Sequence, residues 1–355
     1  MQMTQIALIT DTHWGCRNDS PVFAEHISRF YKDVFFPYLD QHNINFIFHL
    51  GDIVDRRKYI NFLSAKNLSK DFIEPIRQKN KFLYALIGNH DTYYKNTNEV
   101  NSMDILYGDR AGFTYISEPL ELDLDCKILM MPWICTQNYE RCMEAIKNTE
   151  ASVLFGHLEL TGFEMYKGMP NDHGFDPKIF DKFDVVCSGH FHHKSSRGNI
   201  HYLGAPYEMT WSDYDDPRGF HIFDTKTREL KFIQNPNRIF HKIFYNDNEL
   251  TIEDVMTLDF SIYKNCIIKV ITKAKTNPHL FDVFIERLEK AGVADLQAVE
   301  DHLNLNLELD DNIIEEAEDT LSILNKFVTQ IADKNNHKNL SKLLKDLYDE
   351  ALMVE

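Results

Sequence analysis

Five short apolar runs, each breaking off into polar residues able to bind a metal ion or move a proton, most constrain what this chain can become. "QIALIT" precedes Asp11 and His13, and "INFIFHL" precedes Gly51 and Asp52. "KFLYALI" precedes Gly88, Asn89, His90 and Asp91, "ASVLF" precedes Gly156 and His157, and "FDVVCS" precedes Gly189, His190 and His192. Runs of this length, rich in β-branched and aromatic residues, read as buried strands. Helical patterns fill the early gaps. "SPVFAEHISRFYKDVFFPYLDQH" opens with Ser20 at a cap position and Pro21 at the first helical position, and "NFLSAKNLSKDFIEPIRQK" follows later. Strands alternating with helices predict a layered α/β core, whose ligands collect at the carboxyl ends of the strands.

Asp11, His13, Asp52, Asn89, His157, His190 and His192 offer oxygen or imidazole nitrogen and no thiolate. That donor set suits two divalent ions such as Mn²⁺ or Mg²⁺ and disfavours a structural zinc site. Seven residues suffice if one carboxylate bridges, and Asp52, central in the order, is the natural bridge. Taken singly, the pieces have ordinary explanations. Turn residues at a strand end account for a lone Asp-x-His, and a hydrogen-bonded histidine accounts for His157. "GNHD" is the most specific piece, and turn chemistry does not require all five in this order.

Composition narrows the partners. A chain of 355 residues exceeds one typical domain, so two or three units are expected. The net charge of −17 argues against a general polyanion binder. It is uneven, however. Residues 295–355 hold 15 acids and five lysines, a balance of −10, which leaves −7 for the first 294 residues and room for a local basic patch. The six cysteines form no C-x-x-C pair and read as reduced, buried thiols. The N-terminal segment has no basic, apolar leader pattern, and nothing approaches the ~18 apolar residues of a membrane span. A cytoplasmic protein without a membrane partner is expected.

Beyond the core, 239–245 and 266–273 read as strands, 279–292 as a helix closed by Gly292, and "VADLQAVED" as a further strand. Residues 311–355 carry two apolar stripes at three- and four-residue steps, a helical hairpin. Domains are expected at 1–235, 236–305 and 306–355.

The order D-x-H, G-D-x-x-D, G-N-H-D, G-H, G-H-x-H resembles the calcineurin-like metallophosphoesterase superfamily, over residues 5 to about 210. Within it, "LFGHLEL", "GHFHH" with "YLGAPYEM", the small α/β unit and the helical tail are similar to the SbcD, or meiotic-recombination-eleven, DNA repair nucleases. The resemblance implies two packed β-sheets flanked by helices, a small α/β capping domain that contacts DNA, and a C-terminal hairpin that binds the coiled coil of an SbcC-type ATPase. It implies one ion on Asp11, His13, Asp52 and His192 and another on Asp52, Asn89, His157 and His190. His90 would be the catalytic histidine, held by Asp91, and His193 no ligand. The position of Asp55 is often histidine in the family, so its role stays open among proton handling, support and tuning of the metal site. The implied activity is Mn²⁺-dependent hydrolysis of DNA, as a 3′→5′ double-strand exonuclease and single-strand endonuclease. It would act in double-strand-break processing, in a homodimer within a heterotetramer. Arg56, Arg57 and Lys58, after the bridging aspartate, either grip the DNA backbone or form a solvated helix start. A hydrolase of the same superfamily acting on a non-DNA substrate, or a catalytically inactive scaffold, is the alternative reading.

Overall fold

The computed structural model describes residues 5–108, 111–166 and 169–300, so the hairpin expected at 306–355 lies outside the described residues. Among the described residues, 5–209 and 213–300 belong to one compact unit.

Strands β1 (Gln5–Ile9), β2 (Phe46–His49), β3 (Phe82–Leu86) and β4 (Phe113–Ile116) run parallel, and they share a sheet with β13 (Gly219–Asp224) and β14 (Leu230–Gln234). The order is β14-β13-β1-β2-β3-β4, with β13 antiparallel to both neighbours. A second sheet holds β5 (Leu120–Asp123), β6 (Lys127–Met131), β7 (Val153–His157), β10 (Val185–Gly189), β11 (Ser195–Arg197) and β12 (Ile200–Tyr202). Its order is β11-β12-β10-β7-β6-β5, parallel at its centre and antiparallel at both edges. A short antiparallel pair, β8 (Glu164–Tyr166) and β9 (Met169–Pro170), stands apart.

Side chains alternate across a strand, so each strand serves two cores. Ile6 and Leu8 of β1, Phe48 of β2 and Leu86 of β3 meet Ile128, Met130, Val153, Phe155 and Cys187 of the second sheet in one buried cluster. The two mixed sheets therefore pack face to face, as the expected α/β fold requires. On the outer face of the second sheet, Leu129, Leu154 and Val186 pack with Cys142 and Ile146 of the helix Tyr139–Asn148.

The helices outside the first sheet follow the expected segments, with one repeated departure. The helix Pro21–Phe30 continues through a π-helical turn, Tyr31–Phe35, into Phe36–Gln41. Phe62–Leu68 likewise passes through Ser69–Ile73 into Glu74–Gln78. Each wide turn ends two residues before a proline, Pro37 or Pro75. A proline ring collides with the carbonyl four residues earlier, and the wider turn makes room for it. Ser20 holds the cap position but makes no capping bond, whereas Asn61 accepts the Leu63 N–H at 2.8 Å.

A third, parallel sheet comprises β15 (Phe240–Asn246), β16 (Ile267–Ala274) and β17 (Asp295–Glu300). The helices Ile252–Thr257 and Pro278–Lys290 share a core with one of its faces, through Tyr245, Ile268, Val270, Val255, Phe284 and Leu288. The buried Glu208 carboxylate accepts the Ile239 and Phe240 N–H groups at 2.7 and 3.0 Å, and Phe23 meets Phe240 at 6.0 Å between ring centroids. These contacts fix the start of β15 to the core. No helix among the described residues is long and apolar enough to cross a membrane.

Candidate metal centre

Parallel strands end on one edge, and two parallel-centred sheets packed face to face bring two such edges together. The loops after β1, β2, β3, β7 and β10 meet there. Their backbone is unusual. Asp11, His13, Asp52 and His190, all candidate ligands, have φ of 51°, 40°, 55° and 90°. Left-handed backbone at a non-glycine residue costs on the order of 1–3 kcal/mol and persists only where its surroundings enforce it. Here the Asp11 N–H donates to the Gly51 carbonyl at 3.1 Å, and the Thr12 and His13 N–H groups donate to the Asp52 carbonyl at 2.9 and 3.1 Å. The loops hold one another in shape. Gly88 leaves no space for a side chain, because a Cβ there would collide with the carboxylate and backbone nitrogen of Asp52.

Two clusters form. Ligand atoms of Asp11, His13 and His192 lie within 4.8 Å of one another, and so do those of Asp52, His157 and His190. Asn89 belongs with the second, its Oδ1 2.9 Å from His157 Nε2 and 3.0 Å from His190 Nδ1. Asp52 stands between them. Its Oδ2 is 3.8 Å from His13 Nε2 and 3.3 Å from His157 Nε2, while its Oδ1 accepts the His90 N–H at 2.8 Å. The Asp11 carboxylate accepts the His190 N–H at 3.0 Å, which ties the first loop to the last.

The donors fit cations. His157 Nδ1 lies 2.7 Å from the Leu50 carbonyl, which can only accept, so Nδ1 carries the hydrogen. A neutral His157 then turns a bare Nε2 toward Asn89 Oδ1 and Asp52 Oδ2, so that three acceptors converge. In the first cluster His13 Nε2 and His192 Nε2 face each other at 3.0 Å. Without an ion, an added proton must relieve each cluster. Burial opposes charging His157, but Asp52 beside it prevails and pushes its pKa up to about 9. Burial opposes charging His13 too, and the Asp55, Asp52 and Asp11 carboxylates likewise push it up to about 9. Their neighbours stay neutral: burial, then the His157 charge, drives His190 down to about 3, and burial, then the His13 charge, holds His192 well below the usual histidine range. One positive charge per cluster is thus demanded by the acceptors, and a divalent ion in each would meet that demand.

His90 sits at the rim. Its Nδ1 donates to the Asp55 carbonyl at 2.6 Å, and its ring meets His13 edge-on at 4.8 Å. This corrects the expectation that Asp91 holds His90. Asp91 is fully buried, and its carboxylate accepts four backbone N–H groups, from Asp52, Ile53, Val54 and Gly88, at 2.8, 2.9, 3.1 and 2.9 Å. No lone pair is spared for the histidine next to it, so Asp91 shapes the loop that carries Asp52. The Asp55 carboxylate, whose role was open, stands 3.5 Å from His13 Nδ1. His193 lies outside both clusters, 2.9 Å from Asp216 and 3.5 Å from Glu164.

Arg56, Arg57 and Lys58 lie in a loop, not at a helix start, since the next helix begins at Phe62. Arg56 pairs with Asp19 at 2.7 Å and leans on the Tyr59 ring; Arg57 is half-buried and Lys58 exposed. Two residues near the centre had no motif to announce them. The Trp133 ring lies 5.1 Å from that of His190 and 6.0 Å from that of His157. Arg218, paired with the buried Asp213 and Asp216, donates to the His192 carbonyl. Trp133 does follow an apolar run, "KILMM", in the manner of the five motifs, but with no ligand after it.

The chain is similar to several known proteins. The exonuclease subunit 1 of Enterobacteria phage T4 is 30% identical over 305 residues, covering 85% of this chain and 86% of that relative. Among solved structures, an archaeal phosphodiesterase is similar at 14% identity, with a TM-score of 0.32 over 65% of this chain and 99% of the other. A purple acid phosphatase from yellow lupin (Lupinus luteus) seeds is similar at 12% identity, with a TM-score of 0.37 over 65% of this chain and 53% of the other. The model of the calcineurin-like phosphoesterase family matches residues 4–194, a stretch that contains all five motifs, and the chain belongs to that family.

Proposed function

We propose that this chain is a DNA nuclease that hydrolyses phosphodiesters at a two-ion centre, as the catalytic subunit of a larger complex. The observation that carries the reading is the single Asp52 oxygen placed between two clusters of acceptors. Asp11, His13, Asp52 and His192 would hold one ion, and Asp52, Asn89, His157 and His190 the other, with Mn²⁺ favoured and Mg²⁺ the alternative. When bound, such a pair neutralises phosphoryl charge and makes water a better nucleophile. The chain's own residues do the rest. The Asp55 carboxylate, 3.5 Å behind His13 Nδ1, favours the tautomer with its hydrogen on that nitrogen and Nε2 bare. The Asp55 carbonyl holds the Nδ1–H of His90, which leaves Nε2 to carry a proton to the leaving oxygen.

Other surfaces support a DNA substrate. On the third sheet, the face opposite the helices carries Lys242 and Lys269 as register neighbours, and Lys273 over the Phe244 ring. Burial, then the charge of Lys242, lowers the pKa of Lys269, a repulsion that a phosphate backbone would relieve. This supports reading 236–305 as a capping domain that contacts DNA. The T4 relative is an exonuclease subunit, which supports a nucleic-acid substrate and a partner subunit. We assign 306–355 to that partner, an SbcC-type coiled-coil ATPase. A homodimer is part of this reading, and Phe62, Leu63 and Ile105, each an exposed apolar side chain, are candidate contacts for a second copy.

The test is a cleavage assay on linear duplex and single-stranded DNA with Mn²⁺ or Mg²⁺, comparing wild type, His90→Ala and His190→Ala, with and without the ATPase. Metal-dependent cleavage, 3′→5′ on duplex ends and strongly reduced in both variants, is expected. No cleavage by wild type under any condition would reject the reading.

A further inference from the structure

A cleft of about 830 Å³ opens beside the second cluster, lined by Lys95, Trp133, Gln137, Tyr139, Arg141 and Phe175 among others. Trp133 forms the wall between cleft and centre. Its backbone is clamped: its N–H donates to the Ile87 carbonyl at 2.8 Å, and its carbonyl accepts from Asn98 and Asn138 side chains at 2.8 and 3.0 Å. Its ring is fixed against His190. Across the cleft, Tyr139 and Phe175 lie nearly parallel, 21° between planes and 6.1 Å between centroids, and Tyr139 is 46% exposed. Arg141 is engaged by Glu118 at 2.5 Å, so Lys95, on the loop that follows "GNHD", and Glu140 are the other charged side chains of the lining.

Flat aromatic surface, a lysine and a phosphate-handling centre one indole ring away match a single flat, phosphate-bearing ligand. A cleft of this size admits one or two nucleotides and excludes a double helix. We infer that the Trp133–Tyr139–Phe175 cleft binds an unpaired nucleotide of the substrate strand, its base stacked on the Tyr139–Phe175 rings while the strand passes the edge of Trp133 to bring a neighbouring phosphate to the second cluster. Stacking on an aromatic side chain tolerates any base, because every base has a π face. The cleft would therefore favour strand ends that have come unpaired over intact duplex, without reading sequence. This inference rests on the phosphodiesterase reading above.

The test uses short single strands in which only one linkage is a cleavable phosphodiester, flanked by thymidines or by base-free tetrahydrofuran residues. The ratio of kcat/KM on the two strands is measured with Mn²⁺ for wild type, Tyr139→Ala, Phe175→Ala and Tyr139→Phe. Wild type should prefer the base-bearing strand by roughly tenfold. Both alanine variants should bring the ratio toward one, and Tyr139→Phe, which keeps the ring, should preserve it. A ratio unchanged in both alanine variants would overturn the inference while leaving the nuclease reading intact. Cleavage of neither strand by wild type would overturn both.

Discussion

Asp55 Oδ1 stands 3.5 Å from Nδ1 of His13, on the far side of a ring whose Nε2 faces His192 and Asp52. A carboxylate behind a ligating histidine fixes its tautomer and raises its basicity. Asp55→Ala should therefore weaken Mn²⁺ binding roughly 10–100-fold. His90 should keep its position, because it is held by the Asp55 backbone carbonyl. Isothermal titration with Mn²⁺ checks this, and an unchanged affinity would contradict it.

Asp91 should prove structural. Asp91→Ala strands four buried N–H groups, each costing about 1–3 kcal/mol when unpaired, so a loss of ~3–5 kcal/mol after local relaxation is expected. Asp91→Asn should be only a little milder, since its amide would point NH₂ at two of the same donors. Urea unfolding measures the loss. A variant that unfolds like wild type but has lost cleavage would restore a direct catalytic role.

His193 and Arg218 should separate sharply. His193→Ala should leave Mn²⁺ affinity nearly unchanged and cost about 1 kcal/mol, the scale of a partly exposed ion pair. Arg218→Met removes a guanidinium from between the buried Asp213 and Asp216, a change that costs about 3–5 kcal/mol, and releases the His192 carbonyl. Chemical unfolding of both variants, with Mn²⁺ titrations, checks the contrast. Equal effects would contradict it.

Acid should destabilise the protein through buried histidines that belong to neither cluster. Burial pushes His26 and His221 down to about 3 from 6.5, with Arg29 and Lys194 respectively adding to the effect. The unfolded chain takes up these protons near pH 6.5, while the folded chain refuses them until about pH 3. Stability is thus complete above pH 6.5 and falls toward pH 3, by about 1.4 kcal/mol per pH unit for each histidine. Replacing His26 by phenylalanine should flatten the slope between pH 6.5 and 4 by one proton's worth. An unchanged slope in urea unfolding would contradict this.

The sequence carried the edge where the candidate ligands gather well, because strand ends are local. An apolar run, a glycine and a ligand are adjacent in the chain, and parallel strands bring such ends together. The division of "GHFHH" was legible in the same way, with His190 and His192 in different clusters and His193 in neither. What was not legible depends on contacts distant in sequence. Asp91 sits next to His90 in the chain, yet the N–H groups of Asp52, Ile53 and Val54, some 37 to 39 residues away, claim its oxygens. Arg56 reads as a DNA contact or part of a solvated helix start, and its pairing with Asp19, 37 residues earlier, is in neither reading. Trp133 reaches the centre through a ring contact and Arg218 through a hydrogen bond to the His192 carbonyl, and no metal-ligand spacing marks either. The π-helical turns were hidden for another reason: the proline was visible, but whether a helix breaks or widens there depends on what the flanking turns bury.

The central claim is that two ions share Asp52, and anomalous diffraction at the manganese edge from crystals soaked in Mn²⁺ tests it most directly. The account predicts two peaks about 3.5–4 Å apart, one among Asp11, His13 and His192, the other among Asn89, His157 and His190, with Asp52 Oδ2 between them. A single peak, or two peaks that do not share Asp52, would contradict it.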